Sequence, residues 1–186
     1  MTYEAGMREL FWLWPSGVSS DDVDRILSLG ARQSSEPGTL FSTADELQGL
    51  RSCGVRWLRD EWLIELLWPF IEEANTRGFG VDVERRAEFQ IVEYQATNRD
   101  HYGWHHDVHW NGQDSRDRKI SITVQLSDSN AYSGGDFEFE EVNTNADFRA
   151  IGTVVAFPSY VRHRVQPVSA GTRLALVAWF HGPRWR

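Results

Sequence analysis

With 186 residues, 41% of them hydrophobic and 13% aromatic, the chain is long enough for one domain with a sizeable core and too short for two ordinary ones. A formal net charge of −8 argues against general affinity for nucleic acid backbone or anionic membrane, and no apolar run reaches the length of a membrane span. The single cysteine, Cys53, excludes an internal disulfide and a cysteine-rich zinc site; it is expected in the core of a soluble protein of the reducing cytoplasm.

"SSDDVDRILSLG" predicts a first helix, with Ser19 or Ser20 as the N-cap, acidic residues in the first turn, Val23, Ile26 and Leu27 as the apolar stripe and Gly30 as the stop. Residues 31 to 54 read as loop. "RDEWLIELLWPFIEEANTRG" predicts a second helix capped by Asp60, burying Trp62, Leu63, Leu66, Leu67 and Phe70, bent at Pro69 and ended at Gly78. From about residue 80 the period changes from 3.6 to 2. "EFQIVEYQ" and "ISITVQLS" alternate, and "FEFEEV", "GTVVAFP", "HRVQPV" and "RLALVAWF" follow with turn residues between them. Helices followed by many short strands imply an α+β, mainly β domain spanning 1–186: helical support over about 1–79 and a sandwich or barrel over about 80–183.

The chemistry concentrates in "HYGWHHDVHW", residues 101 to 110, which holds four of the six histidines. In an extended strand, side chains at i and i+2 share a side, so His105 and Asp107 converge while His106 points away. His101, His106 and His109 read as loop or strand-edge residues, although His109 keeps the phase of Asp107. Outside this stretch the histidines are His163, in "FPSYVRHRVQPV", and His181, in the terminal "HGPRWR". Two histidines and one carboxylate are the ligand set of a non-haem iron site, open for substrate and oxygen; a closed structural zinc site would need a fourth ligand, usually cysteine. Downstream, "GTRLALVAWF" places Arg173, Ala175, Val177 and Trp179 on one strand face, so the arginine and the tryptophan enter or leave the barrel together. A guanidinium inside needs a carboxylate partner, which a bound ligand would provide.

Taken together, "EYQATNRDHYGWHHD", "RKISITVQLSDSNAYSGGDFEFE" and "GTVVAFPSYVRHRVQPVSAGTRLALVAWFHGP" resemble the iron(II)- and 2-oxoglutarate-dependent oxygenases of the prolyl 4-hydroxylase type, especially their small bacterial and phage-encoded members, over roughly residues 80 to 183. The resemblance implies a double-stranded β-helix core (jelly roll, cupin-like) that uses Fe(II), 2-oxoglutarate and O2, with ascorbate as a reductant. It makes His105, Asp107 and His163 the metal ligands, Arg173 the partner of the distal carboxylate of 2-oxoglutarate, and Tyr94 a neighbour of that co-substrate. It also turns Ser121, Thr123, Gln125 and Ser127 inward, with Gln125 where some relatives have a tyrosine that helps bind the distal carboxylate. Tyr102, Trp104, Arg118 and Trp179 become substrate-side residues, Trp110 and Tyr132 further aromatic walls, and the loops 96–101 and 128–135 mobile covers; Trp12, Trp14, Trp57, Trp62 and Trp68 are left to packing.

The implied reaction converts 2-oxoglutarate to succinate and CO2 while hydroxylating an unactivated C–H bond, with a peptide, protein or amino-acid substrate ranked first and a peptidyl proline foremost. A small molecule or nucleobase would use the same centre. Alternatives from other classes are a cupin-like metal- or anion-binding protein without turnover, and a metal-dependent hydrolase, for which no general base stands out.

Overall fold

A computed structural model describes residues 9–38, 49–143 and 146–186. Helix α1 (Ser20–Ala31) starts at Ser19, whose hydroxyl accepts from the Asp22 N–H, and α2 (Glu61–Ala74) starts at Asp60, whose carboxylate accepts from the Trp62 N–H. These caps satisfy donors that a helix start leaves open. Helix α2 runs on through Pro69 and past Gly78 into a wider turn, Asn75–Phe79, closed by Gly80 at φ 62°. The Asn75 side-chain amide locks that exit by pairing with both the N–H and the carbonyl of Val81.

The strands form two antiparallel sheets. The larger runs in the order β1 (Trp12–Trp14), β10 (Val154–Pro158), β7 (Arg116–Gln125), β12 (Val168–Pro183), β5 (Ala87–Gln95), β4 (Gly54–Leu58) and β2 (Glu36–Pro37), with β8 (Tyr132–Gly134) pairing separately on β12. The smaller runs β3 (Arg51–Ser52), β6 (His101–His105), β11 (His163–Val165) and β9 (Phe137–Phe139). This is the double-stranded β-helix arrangement, with both helices on one side. Strands β1 to β4 precede residue 80, so the stretch 31–54 is not simply loop; its residues 39–48 lie outside the described residues. Segment 128–135 also departs from expectation, because β8 ties its second half to β12 instead of leaving a free cover.

Both faces of the large sheet are buried, each for its own reason. Ile120, Ile122, Val124, Leu126, Leu176, Ala178 and Phe180 pack against Val23, Ile26, Leu63, Leu67 and Ile71 of the helices. On the other face Val92, Val155, Phe157, Val177 and, from the small sheet, Phe137, Phe139 and Val165 build a second core. The polar set of β7, Ser121, Thr123, Gln125 and Ser127, points to this second side and is also buried. Polar groups on an inner sheet face need partners, and they find them around a pocket between the sheets.

Candidate metal centre

Three strand ends meet in that pocket. β6 delivers His105 as its last residue, and Asp107 follows in the bend, where its backbone N–H donates to the Ser159 carbonyl at 2.8 Å. β11 opens with His163, directly opposite His105 in the ladder. One ligand atom from each of His105, Asp107 and His163 lies within 4.8 Å of the others.

The protonation pattern of this trio shows what it fits. His105 Nδ1 is 2.8 Å from the Gly103 carbonyl and His163 Nδ1 is 3.0 Å from the Val161 carbonyl; a carbonyl only accepts, so both rings carry their proton on Nδ1. Their Nε2 atoms then face the two Asp107 oxygens, each at 3.7 Å. Burial, with His163 alongside, pushes His105 down to about 3, which keeps its lone pair free of a proton. Burial works to raise the Asp107 carboxyl, but His163, His105, Arg118 and the Ser121 hydroxyl outweigh it and hold it below the usual carboxylate range. His105 Nε2, His163 Nε2 and the Asp107 carboxylate converge in a buried space, a donor set that fits a divalent cation held on one face by two imidazoles and one carboxylate. Ser121 Oγ donates to Asp107 Oδ2 at 2.6 Å and meets Ser159 Oγ at 2.9 Å, fixing the carboxylate from behind.

Tyr94, Tyr102, Thr123, Arg173, Ala175, Val177 and Trp179 line the same pocket, so the β12 face carrying Arg173 and Trp179 does enter the barrel. Arg173 is 4% exposed, and no carboxylate of the described residues lies within ion-pair distance of it; the Tyr94 ring centroid is 5.7 Å from its guanidinium carbon. Burial pushes the Tyr94 phenol up, and burial pushes Tyr102 up to about 12, so both stay protonated donors. Arg118 lies 3.7 Å over the Trp179 ring and pairs with Glu88 at 2.7 Å, while Trp179 Nε1 is buried without a hydrogen-bond partner among the described residues.

Two expected residues stand elsewhere. Between its pairings Tyr102↔Val165 and His105↔His163, β6 takes three steps against two of β11. That bulge puts Tyr102 on the same face as His105, stacked on its ring at 3.4 Å, and turns Trp104 to the opposite face. There Trp104 lies under Arg164 at 4.6 Å and lines a separate groove with Glu138 and Phe148. Gln125 is inward and buried but is not part of the pocket wall; its amide goes to Ser127 and Tyr132. The other histidines are engaged apart from the trio. His101 has both ring nitrogens on backbone carbonyls, His106 accepts from Trp110, and His109 lines a neighbouring cavity that also touches Asp107.

Arg51, Gln90, Ser159 and Trp57 were not singled out by the sequence. Arg51 and Gln90 line the pocket, joined by a 3.0 Å hydrogen bond, and Arg51 lies 4.7 Å over Tyr102. Trp57, 42% exposed, stands 6.2 Å from Trp179. A signal was present, since Arg51, Cys53, Val55 and Trp57 share one parity in "RSCGVRWL".

Comparison with known proteins decides the family. The model of the 2OG-Fe(II) oxygenase superfamily matches residues 89–181, half of the chain. The chain belongs to this superfamily. The chain is 38% identical over 81 residues to a PKHD-type hydroxylase of Synechococcus sp. (strain CC9902), covering 43% of this chain and 36% of the relative. A PKHD-type hydroxylase of Idiomarina loihiensis is 33% identical over 92 residues, 49% of this chain and 38% of that one. The aligned stretches thus span little more than a third of these relatives' length. Among solved structures, a Pseudomonas putida prolyl-4-hydroxylase superposes with a TM-score of 0.72 at 18% identity, covering 95% of this chain and 94% of that one. A viral collagen prolyl hydroxylase from Paramecium Bursaria Chlorella virus-1, solved with 2OG, gives 0.67 at 15% identity, covering 94% and 97%. A Trichoplax adhaerens prolyl hydroxylase, solved with a peptide fragment of hypoxia inducible factor, gives 0.70 at 17% identity, covering 92% and 83%. The superfamily's chemistry uses Fe(II), 2-oxoglutarate and O2, and the His105, Asp107 and His163 donor set suits the metal. Among the described residues no helix is long and apolar enough to cross a membrane.

Proposed function

We propose that the oxygenase hydroxylates an unactivated C–H bond of a peptidyl prolyl or other amino-acid residue, with His105, Asp107 and His163 holding iron and Arg173 holding the distal carboxylate of 2-oxoglutarate. Iron with 2-oxoglutarate and O2 supplies the oxidant, the co-substrate leaving as succinate and CO2. The chain's own residues bind, orient and exclude water. Carrying the reading is one observation: two imidazoles and a carboxylate converge in a pocket shared with a buried guanidinium that no described carboxylate balances.

Tyr94 and Tyr102 offer phenol donors beside the co-substrate, and the apolar Val92, Phe157, Val165 and Val177 keep the pocket dry. At the mouth, Arg118 stacked on Trp179, with Trp57 alongside, offers a flat apolar shelf with a cation above it and an unsatisfied indole N–H. A prolyl ring packs well on an exposed aromatic face such as that of Trp57. Ascorbate would serve to restore the ferrous state after turnover without substrate. The single-domain layout, with helical support followed by a β core, keeps these residues on rigid strands or, for Asp107, in the bend that follows one.

The test is succinate formation by anaerobically iron-loaded protein after oxygen is admitted, with and without proline-containing peptides and free amino acids. Succinate that rises with the peptides and is matched by a 16 Da mass gain on proline is the expected result. No succinate from protein shown to hold iron overturns the reading in favour of a binding protein without turnover.

A further inference from the structure

One guanidinium does not saturate a carboxylate, whose two oxygens present about four acceptor sites. Position 125 does not supply the missing donor. Gln125 Nε2 donates to the Ser127 carbonyl at 3.0 Å and to the Tyr132 hydroxyl at 3.1 Å, and its buried Oε1 is left without a donor. A bare carbonyl oxygen repels an anion, so Gln125 by itself is a poor partner for one.

Tyr132 comes to this place from a different strand. It opens β8 and pairs with Gly171 of β12, two residues before Arg173, so Gly171 and Arg173 share a strand face with the Tyr132 ring across from it. The close approach is built in: Gly171 has φ +68°, and a Cβ there would collide with the Ala131 carbonyl oxygen. Gly135 reports the same proximity, because a Cβ on it would stand 3.1 Å from Arg173 Cδ and 3.5 Å from Tyr132 Cε2. The ring is 4% exposed and is held by Arg149, whose guanidinium carbon sits 4.2 Å from the ring centroid and which also binds the Tyr132 carbonyl and Asp136. The phenol oxygen accepts from Gln125, yet its own hydrogen meets no acceptor among the described residues. A buried donor without an acceptor is a cost that a ligand removes.

We propose that Tyr132 donates the second hydrogen bond to the distal carboxylate of 2-oxoglutarate, and that Gln125 is the positioning residue that aims it. This rests on the reading of the Arg173 pocket as the co-substrate site. The Gln125 amide donates into the phenol oxygen, which turns the O–H outward and polarises it toward an acceptor. The phenol and the guanidinium then approach the same anion from neighbouring strands.

Calorimetric binding to Mn(II)-loaded protein, which does not turn over, separates the possibilities. Two ligands are compared: 2-oxoglutarate and 2-oxopentanoate, which keeps the keto acid and replaces the distal carboxylate by a methyl group. Tyr132→Phe removes only the hydroxyl and is expected to weaken 2-oxoglutarate about tenfold while leaving 2-oxopentanoate and Mn(II) affinities unchanged. Gln125→Leu is expected to give a smaller loss with the same selectivity, which a general loosening of the pocket would not produce. Wild-type protein that prefers 2-oxoglutarate, loses that preference in Arg173→Leu and keeps it intact in Tyr132→Phe overturns the proposal while the pocket reading stands. Wild-type protein that binds both acids equally overturns the two together.

Discussion

Replacing Ser121 by alanine tests whether the strand behind Asp107 aims its carboxylate. Ser121 Oγ lies 2.6 Å from Asp107 Oδ2 and 2.9 Å from Ser159 Oγ, and all three residues are buried, so bulk water is not at hand to replace the lost hydroxyl. A hydrogen bond to a charged acceptor contributes about 1.5–3 kcal/mol. Loss of a residue that orients a metal ligand typically lowers metal affinity about 10–100-fold. The two magnitudes agree, since each tenfold step is about 1.4 kcal/mol. Ser121 also helps to hold the Asp107 carboxyl low, so its removal shifts metal uptake toward higher pH as well. The assay is Co(II) or Mn(II) affinity by competition with a chelator at pH 7. Ser159→Ala is the comparator: it touches Asp107 only through Ser121 and through the backbone carbonyl that remains, so its loss should be smaller. If Ser121→Ala binds metal as tightly as wild type, the idea that β7 orients Asp107 is refuted.

Arg173→Leu should weaken 2-oxoglutarate by about 1.5–3 kcal/mol, roughly 10- to 150-fold, with metal affinity unchanged; equal affinity for the co-substrate would remove Arg173 from the site. Glu88 is pulled down to about 2, first by His181, whose Nε2 stands 3.6 Å away, and further by Arg118, against the opposing effect of burial. Its folded value is lower than its unfolded one, so its contribution is complete above about pH 4.5 and is lost as pH falls toward about 2. Because the side chain is 45% exposed, solvent screening limits the effect to about 1 kcal/mol or less. Urea midpoints at pH 5 and pH 3 should therefore differ less in Glu88→Gln than in wild type, and an identical difference would argue against the linkage. Leu67, fully buried between α2 and the large sheet, should cost about 2–5 kcal/mol when cut to alanine, read from urea unfolding, while the folded fraction still binds metal.

What could be read from the sequence follows the range of each interaction. The parity of Arg173, Ala175, Val177 and Trp179 is a property of one strand and grouped all four on one face; which side that face takes came only with the pocket they line. The alternation in "ISITVQLS" likewise separated the helix-facing residues of β7 from its polar set. His105 and Asp107 converge as the two-residue spacing requires, although β6 ends at His105 and Asp107 is held by the Ser159 carbonyl, a contact from β10's exit that no local pattern announces. Trp104 failed for the same reason: the bulge exists only relative to β11, so its effect on side-chain direction is invisible in β6 alone. Arg51 reaches the pocket because β3 pairs with β6, a pairing that the parity shared by Arg51, Cys53, Val55 and Trp57 does not by itself specify. Gln125 illustrates a different limit, since its direction was legible and its partner, on β8, was not.

The two imidazoles of the centre are oriented by carbonyls two residues earlier in their own chains, Gly103 for His105 and Val161 for His163. Each ring is thus oriented by a hydrogen bond to its own strand end, independently of the other ring. Such a centre can be loaded last, after the polypeptide has folded around an empty seat. Divalent ions of suitable size then find the same geometry waiting, and occupancy follows each metal's availability weighted by its affinity for imidazole and carboxylate ligands. Mismetallation by a competitor such as Zn(II) would leave shape and stability intact and silence only the oxygen chemistry, so a well-folded preparation would need its metal content measured before an absence of turnover meant anything.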